Sequence, residues 1–163
     1  MYTSIMKLER SGPIFNLFRP MMNIGFTCGA FDILHTGHAL MFEECKKHCS
    51  YLIVGVQSDP SIDRPDKNKP VQSFEERKIM TQSIKWVDEI VTYDTEEDLI
   101  MLLKDLKSQK LIDIRIIGAD WQDKRFTGDD LGIPVMYNTR DHGYSTSELR
   151  KRIAAAEYLK NNT

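Results

Sequence analysis

The sequence predicts an α/β protein with a single Rossmann-like, doubly wound parallel sheet and helices on both faces. Two observations carry this. From residue 23 onward short apolar runs alternate with longer helical patterns, and the spacing is that of successive βαβ units. The length, 163 residues, suits one domain with one core. Residues 1–22 lack the pattern, so they are expected to be an N-terminal appendage outside the fold, with the domain over 23–160.

Ile24–Thr27 reads as the first strand, Ala39–His48 as the first helix and Tyr51–Gln57 as the second strand. Ser73 stands three residues before Glu76, the spacing of a capping box, and opens a helix to about Ser83; Glu89–Tyr93 is then a strand. Thr95–Leu106 is read as a helix because Leu99, Leu102, Leu103 and Leu106 share one face. Ile112–Ile117, ended by Gly118, and Pro134–Tyr137 complete the strands. Ser145 and Glu148 repeat the capping-box spacing and open a final helix to about Leu159. Sheets of this kind bind ligands beyond the carboxyl ends of their strands, where strand order reverses. Chemistry is therefore expected just after Thr27, Gln57 and Ile117.

Composition narrows the partners. Lys and Arg total 22 against 24 for Asp and Glu, which gives no positive excess to neutralise a nucleic-acid backbone. The three cysteines are an odd set, and Cys45 and Cys49 on a predicted helix suit reduced thiols better than a disulfide framework. Cys45, His48 and Cys49 lack the second cluster that would complete a tetrahedral metal site. No apolar run nears the roughly 20 residues that span a bilayer. A cytoplasmic protein with neither nucleic-acid nor membrane partner is expected.

The chemistry-bearing stretch follows the first strand: Gly29-Ala30-Phe31-Asp32-Ile33-Leu34-His35-Thr36-Gly37-His38. Gly37 lets backbone approach a ligand closely, and a helix opening near His38 aims its N–H groups and positive dipole end at the same point. Two imidazoles, backbone donors and a helix N-terminus together suit an anion such as phosphate. At the final helix, Ser145 and neighbouring hydroxyls beside Arg140 offer a second phosphate grip. Asp120 and Trp121, directly after a buried-looking strand, offer an acceptor and an aromatic face for a base.

These residues resemble the cytidylyltransferase branch of the HxGH nucleotidyltransferases, glycerol-3-phosphate cytidylyltransferases among them. The resemblance runs from about Ile24 to Ile153 on four blocks: Gly29–His38; Ser73-Phe74-Glu75-Glu76-Arg77-Lys78 with Trp86-Val87-Asp88-Glu89; Gly118-Ala119-Asp120-Trp121; and Arg140 with Gly143, Ser145, Thr146 and Ser147. It implies transfer of a nucleoside monophosphate from CTP to a phosphorylated small molecule, glycerol 3-phosphate or another phosphomonoester, with release of pyrophosphate. His35, His38, Lys69 and Arg140 are the implied catalytic groups. Gly29, Ala30, Phe31, Asp32, Gly37, Lys67, Gly118, Asp120, Trp121, Gly143, Ser145, Thr146 and Ser147 are implied to hold the nucleotide, and Arg77 a phosphate of triphosphate or acceptor. Either Lys67 or Lys69 could be the loop lysine that swings onto the phosphates. The resemblance further implies Mg²⁺ accompanying the triphosphate and a homodimer with Trp86-Val87-Asp88 near its contact.

Some positions depart from the family pattern. Ala30 stands where relatives often carry threonine, and Lys85 replaces an arginine. Asp94-Thr95-Glu96-Glu97-Asp98 is acidic where glycerol-phosphate enzymes tend to offer a lysine, so glycerol 3-phosphate is expected to be a poor acceptor. The HxGH turn permits ATP as well as CTP, and a non-catalytic nucleotide-binding module would keep the same fold.

Overall fold

The computed structural model describes residues 13–162. A short helix α1 (Pro13–Phe18) and a 3-10 turn (Arg19–Met21) lead into alternating strands and helices: β1 (Ile24–Gly29), α2 (Thr36–His48), β2 (Tyr51–Gln57), α3 (Phe74–Gln82), β3 (Glu89–Tyr93), α4 (Glu96–Ser108), β4 (Ile114–Gly118), β5 (Val135–Asn138) and α5 (Thr146–Asn162). The strands form one parallel sheet in the order β3-β2-β1-β4-β5. Strand order reverses between β1 and β4, so the crevice past Gly29 and Gly118 is the binding position that such a topology provides.

Side chains alternate across the sheet and build a core on each face. On one face Phe42, Cys45 and Cys49 of the α2 region pack on Leu52, Val54, Val56 and Ile116. On the other, Leu99, Leu103 and Leu106 of α4 pack on Ile24, Phe26, Ile53 and Val91. The α2 contact is close because residue 25 is glycine: a Cβ there would lie 2.7 Å from Cys49 Sγ.

The Ser73 box acts as read: Ser73 Oγ accepts from Glu76 N–H while the Glu76 carboxylate takes the Ser73 N–H. Ser145 Oγ accepts the Glu148 N–H at 3.2 Å, one half of its expected box, and Thr95 with Asp98 forms a further box at α4 that the sequence reading did not name. Much of the acidic run Asp94–Asp98 is thus a helix start, where carboxylates face the positive end of the dipole. Several boundaries move: β1 runs on to Gly29, α4 to Ser108 and α5 to Asn162, β4 starts at Ile114 rather than Ile112, and α2 starts at Thr36, three residues before Ala39, for a reason that lies in the site.

Residues 1–12 of the expected appendage lie outside the described residues. The last part of that stretch is tied to the domain: the Arg19 guanidinium donates to Lys110 O at 2.7 Å, Met22 O at 3.0 Å and Asp113 Oδ1 at 2.9 Å, and Asp113 Oδ2 takes the Ile24 N–H. Among the described residues no helix is long and apolar enough to cross a membrane.

Candidate active site

The turn after β1 is held by its own histidines. His35 caps α2: its Nδ1 accepts the Gly37 N–H at 3.0 Å, and His38 Nδ1 takes the His35 N–H at 3.4 Å. Imidazole nitrogens thereby fill the places that serine and glutamate usually fill in a capping box. This is why the helix begins earlier than its apolar pattern shows. It also commits the Gly37 N–H to His35, so that amide is not open to an anion.

With both Nδ1 atoms accepting, each ring carries its proton on Nε2. His35 Nε2 lies 3.2 Å from Thr146 Oγ1 at the head of α5, which brings the ends of the chain's two phosphate-like motifs together. The two rings stack with centroids 3.9 Å apart, and Phe31 meets His38 edge-on at 5.6 Å. Burial pushes the His38 pKa down to about 3, with His35 and Arg140 adding to the shift and Asp32 opposing it. Burial, His142 and Arg140 lower His35 as well. Both imidazoles are neutral near pH 7 and act as Nε2–H donors rather than cations.

Close packing explains Gly37. A Cβ there would stand 2.9 Å from the Cε1 atoms of His35 and His142 and 3.0 Å from Tyr144 O. Phe31 (φ 50°) and Ile33 (φ 47°) sit in the left-handed region without being glycine, so the turn stores backbone strain of the kind found at binding sites.

A cavity of about 260 Å³ opens over this turn, lined by Gly29, Ala30, Phe31, His35, Gly37, His38, Gly118, Arg140, Ser145 and Thr146 among others. An adjoining cleft shares Ala30, Phe31, His38, Arg140 and Thr146 with it and adds Asp32, Lys67 and Ser147. Most of the sequence-predicted site is thus brought together. Lys67, Arg140 and Arg150 line this cleft together with Thr146 and Ser147 of α5. Thr146 and Ser147 head that helix, whose first amides have no acceptor within it.

Other expectations are corrected. Arg77 is only 1% exposed, and its guanidinium donates to Gln72 O, Ala30 O, Gln57 O and Ser58 O. It clamps the turn after β1 to the end of β2 and has no face left for phosphate. Lys69 lines a separate groove beside Asp59 and Phe74, so Lys67 is the loop lysine at the cleft. The Asp32 carboxylate accepts the Val71 and Gln72 N–H groups and pairs with Arg150 at 3.2 Å, which fastens the loop rather than presenting an open acceptor. Asp120 is ion-paired with Arg140. Trp121 lines a cavity on the α4 side instead of the main one, and open space surrounds Gly143.

The sequence reading missed Glu44, Asn138, His142 and Tyr144 in the cavity wall and Arg150 in the cleft. Arg150 was accessible: it follows Ser147 by three residues on a predicted helix, so it shares that face. His142 Nδ1 is buried without a hydrogen-bond partner.

Residues 26–152 match the family model described as cytidylyltransferase-like. Curated relatives include the bifunctional protein HldE of Helicobacter pylori strain Shi470, 37% identical over 131 residues, and that of Campylobacter jejuni serotype O:6, also 37% identical over 131 residues. Those alignments cover 80% of this chain and 27% of each relative, so the chain spans about a quarter of the relatives' length. Among solved structures, a lipopolysaccharide core biosynthesis protein from Thermoplasma volcanium is 25% identical with a TM-score of 0.50, covering 83% of this chain and 89% of that one. The parallel sheet, the histidine-capped turn at its switch point and the family match agree: the chain belongs to the cytidylyltransferase-like family of nucleotidyltransferases.

Proposed function

We propose that the chain transfers a nucleoside monophosphate from CTP to the phosphate of a sugar-type phosphomonoester, releasing pyrophosphate. The observation that carries this reading is the neutral, Nε2-protonated histidine pair at the head of α5, with Arg140 lining the same cavity. An acceptor phosphate oxygen attacks the α-phosphorus in line and the bond to pyrophosphate breaks, with no covalent enzyme intermediate. Such a step asks the protein for position and for donors where negative charge spreads. His38 donates from Nε2 to an oxygen of the transferring phosphoryl group, and His35 with Thr146 orients it. Lys67, Arg140 and Arg150 neutralise the departing pyrophosphate.

Mg²⁺ is proposed to travel with the triphosphate. Among the described residues no group of three or more His, Cys, Asp or Glu gathers as metal ligands. The donors in the cleft suit phosphate oxygens, so phosphate and water would hold the ion. The sugar-type acceptor draws on the solved relative described as a lipopolysaccharide core protein. A homodimer through the Trp86-Val87-Asp88 region and a cytoplasmic location remain part of the proposal.

ATP is the second reading, favoured by one observation: the Asp120 carboxylate, the expected acceptor for a base in a block that resembles CTP-using relatives, is paired with Arg140. Incubating the protein with CTP and with ATP in parallel, each with a series of sugar phosphates, and identifying products by mass spectrometry tests both. A CDP-linked sugar supports the first reading and an ADP-linked sugar the second. Absence of any nucleotide-linked product contradicts both.

A further inference from the structure

One wall of the cavity over the histidine turn carries a charge that phosphate cannot use. Glu44 lines it from α2, six residues after His38; at 1.5 Å of rise per residue that is about 9 Å further along the helix. Its Oε1 accepts the Thr139 N–H at 2.8 Å, which ties α2 to the residue that follows β5. Among the described residues no cation pairs with Glu44, and its Oε2 meets no donor yet keeps accessible area.

Charge orients a nucleotide in this cavity. Lys67 and Arg150 line the adjoining cleft, which reaches His38 but does not include Glu44 or Met41. Phosphates laid on the histidines and the cleft cations gain favourable charge, whereas phosphates beside Glu44 would meet a like charge. With its phosphates so placed, a nucleotide turns its base toward the other end, where Met41 and Glu44 follow His38 along α2.

One open carboxylate oxygen asks for one N–H or O–H donor. The ribose hydroxyls lie nearer the 5′ phosphate, so the donor at the far end of the nucleoside is the exocyclic amine of the base. Cytosine and adenine carry such an amine. Uracil and hypoxanthine carry a carbonyl oxygen in its place, which would set acceptor against acceptor. Guanine meets a carboxylate best through two adjacent N–H groups, and one of the two Glu44 oxygens is already held by Thr139.

We propose that Glu44 is a base-reading residue, which admits the amino-bearing bases cytosine and adenine and rejects their oxo counterparts. This rests on reading the cavity as the nucleotide site. It makes Glu44 a specificity-determining residue outside the phosphoryl-transfer step, and it supplies the acceptor that Asp120 withholds through its pair with Arg140.

Calorimetric binding of triphosphates in the absence of any acceptor substrate tests it. Two pairs are compared, CTP with UTP and ATP with ITP, each exchanging the amine for a carbonyl. The parent protein should bind the amino member of at least one pair about tenfold or more tightly. Glu44→Gln keeps an acceptor for the Thr139 N–H but offers an NH₂ group where Oε2 stood, so it should shrink that ratio by about tenfold or invert it. Glu44→Ala, which removes the oxygen and adds no donor, should bring the ratio toward one; melting curves establish that each variant is folded. If Glu44 were only a tether for Thr139, both members of a pair would weaken alike and the ratio would hold, which overturns the proposal. Equal affinities of the parent within both pairs would overturn it too, and with nucleotidyl transfer still observed would leave the transfer reading standing. A ratio that follows residue 44 without any transfer would uphold the proposal and contradict that reading, and no binding of any triphosphate would overturn both.

Discussion

At the scale of single residues, the site depends on histidines that burial keeps neutral. A histidine whose folded pKa lies below its unfolded value of about 6.5 binds fewer protons folded than unfolded. Its contribution to stability is complete above about pH 6.5 and is lost as pH falls toward the folded value, about 3 for His38. Urea unfolding at pH 7 and pH 5 should show a stability loss of about 1.4 kcal/mol per pH unit from one such group. His38→Asn should reduce that loss, and an equal loss in variant and parent would show that His38 titrates normally. Arg77 gives a second residue-scale outcome. Since its guanidinium meets carbonyls of the turn, β2 and the loop, Arg77→Lys should destabilise by about 3 kcal/mol, a Tm fall on the order of 10 °C. A phosphate ligand would tolerate lysine with little change in Tm. The sequence marked Arg77 as functional but could not show that its partners are carbonyls, because those partners are distant in sequence and meet only when the loops close.

At the scale of elements, the strands, the serine-capped helices and the leucine face of α4 were legible because apolar runs, capping pairs and helical periodicity are local signals. The start of α2 was not, since histidine ranks outside the usual capping residues and the box closes through imidazole nitrogens. β4 was read as an apolar strand although Arg115 lies within it; a charged residue at a buried position was the available sign of a second cavity. The N-terminal stretch was read as an appendage outside the fold from its lack of periodicity, a pattern that cannot register one arginine reaching Asp113. Arg19→Ala should lower stability by about 1 kcal/mol and Tm by a few degrees, as expected of a half-exposed pair with two further carbonyl bonds. Thermal melts of the full chain check it, and an unchanged Tm would return this residue to the appendage.

At the scale of the whole molecule, strand order places two cavities on opposite faces of one sheet edge, with Gly29 and Gly118 between them. The sequence pointed to the side proposed for the nucleotide, where the motifs are contiguous. The other side is assembled from single residues of β1, β3, β4 and α4 and left no contiguous signature. The proposed transfer requires the histidine turn to stabilise the transferring phosphoryl group, and one variant tests that most directly. On a single preparation of His38→Ala, triphosphate affinity and kcat for acceptor-dependent pyrophosphate release are measured beside the parent protein. A donor that acts mainly in the transition state predicts a fall in kcat of about 10²–10³ with triphosphate affinity within a few-fold. An unchanged kcat in a folded, nucleotide-binding His38→Ala protein would contradict it.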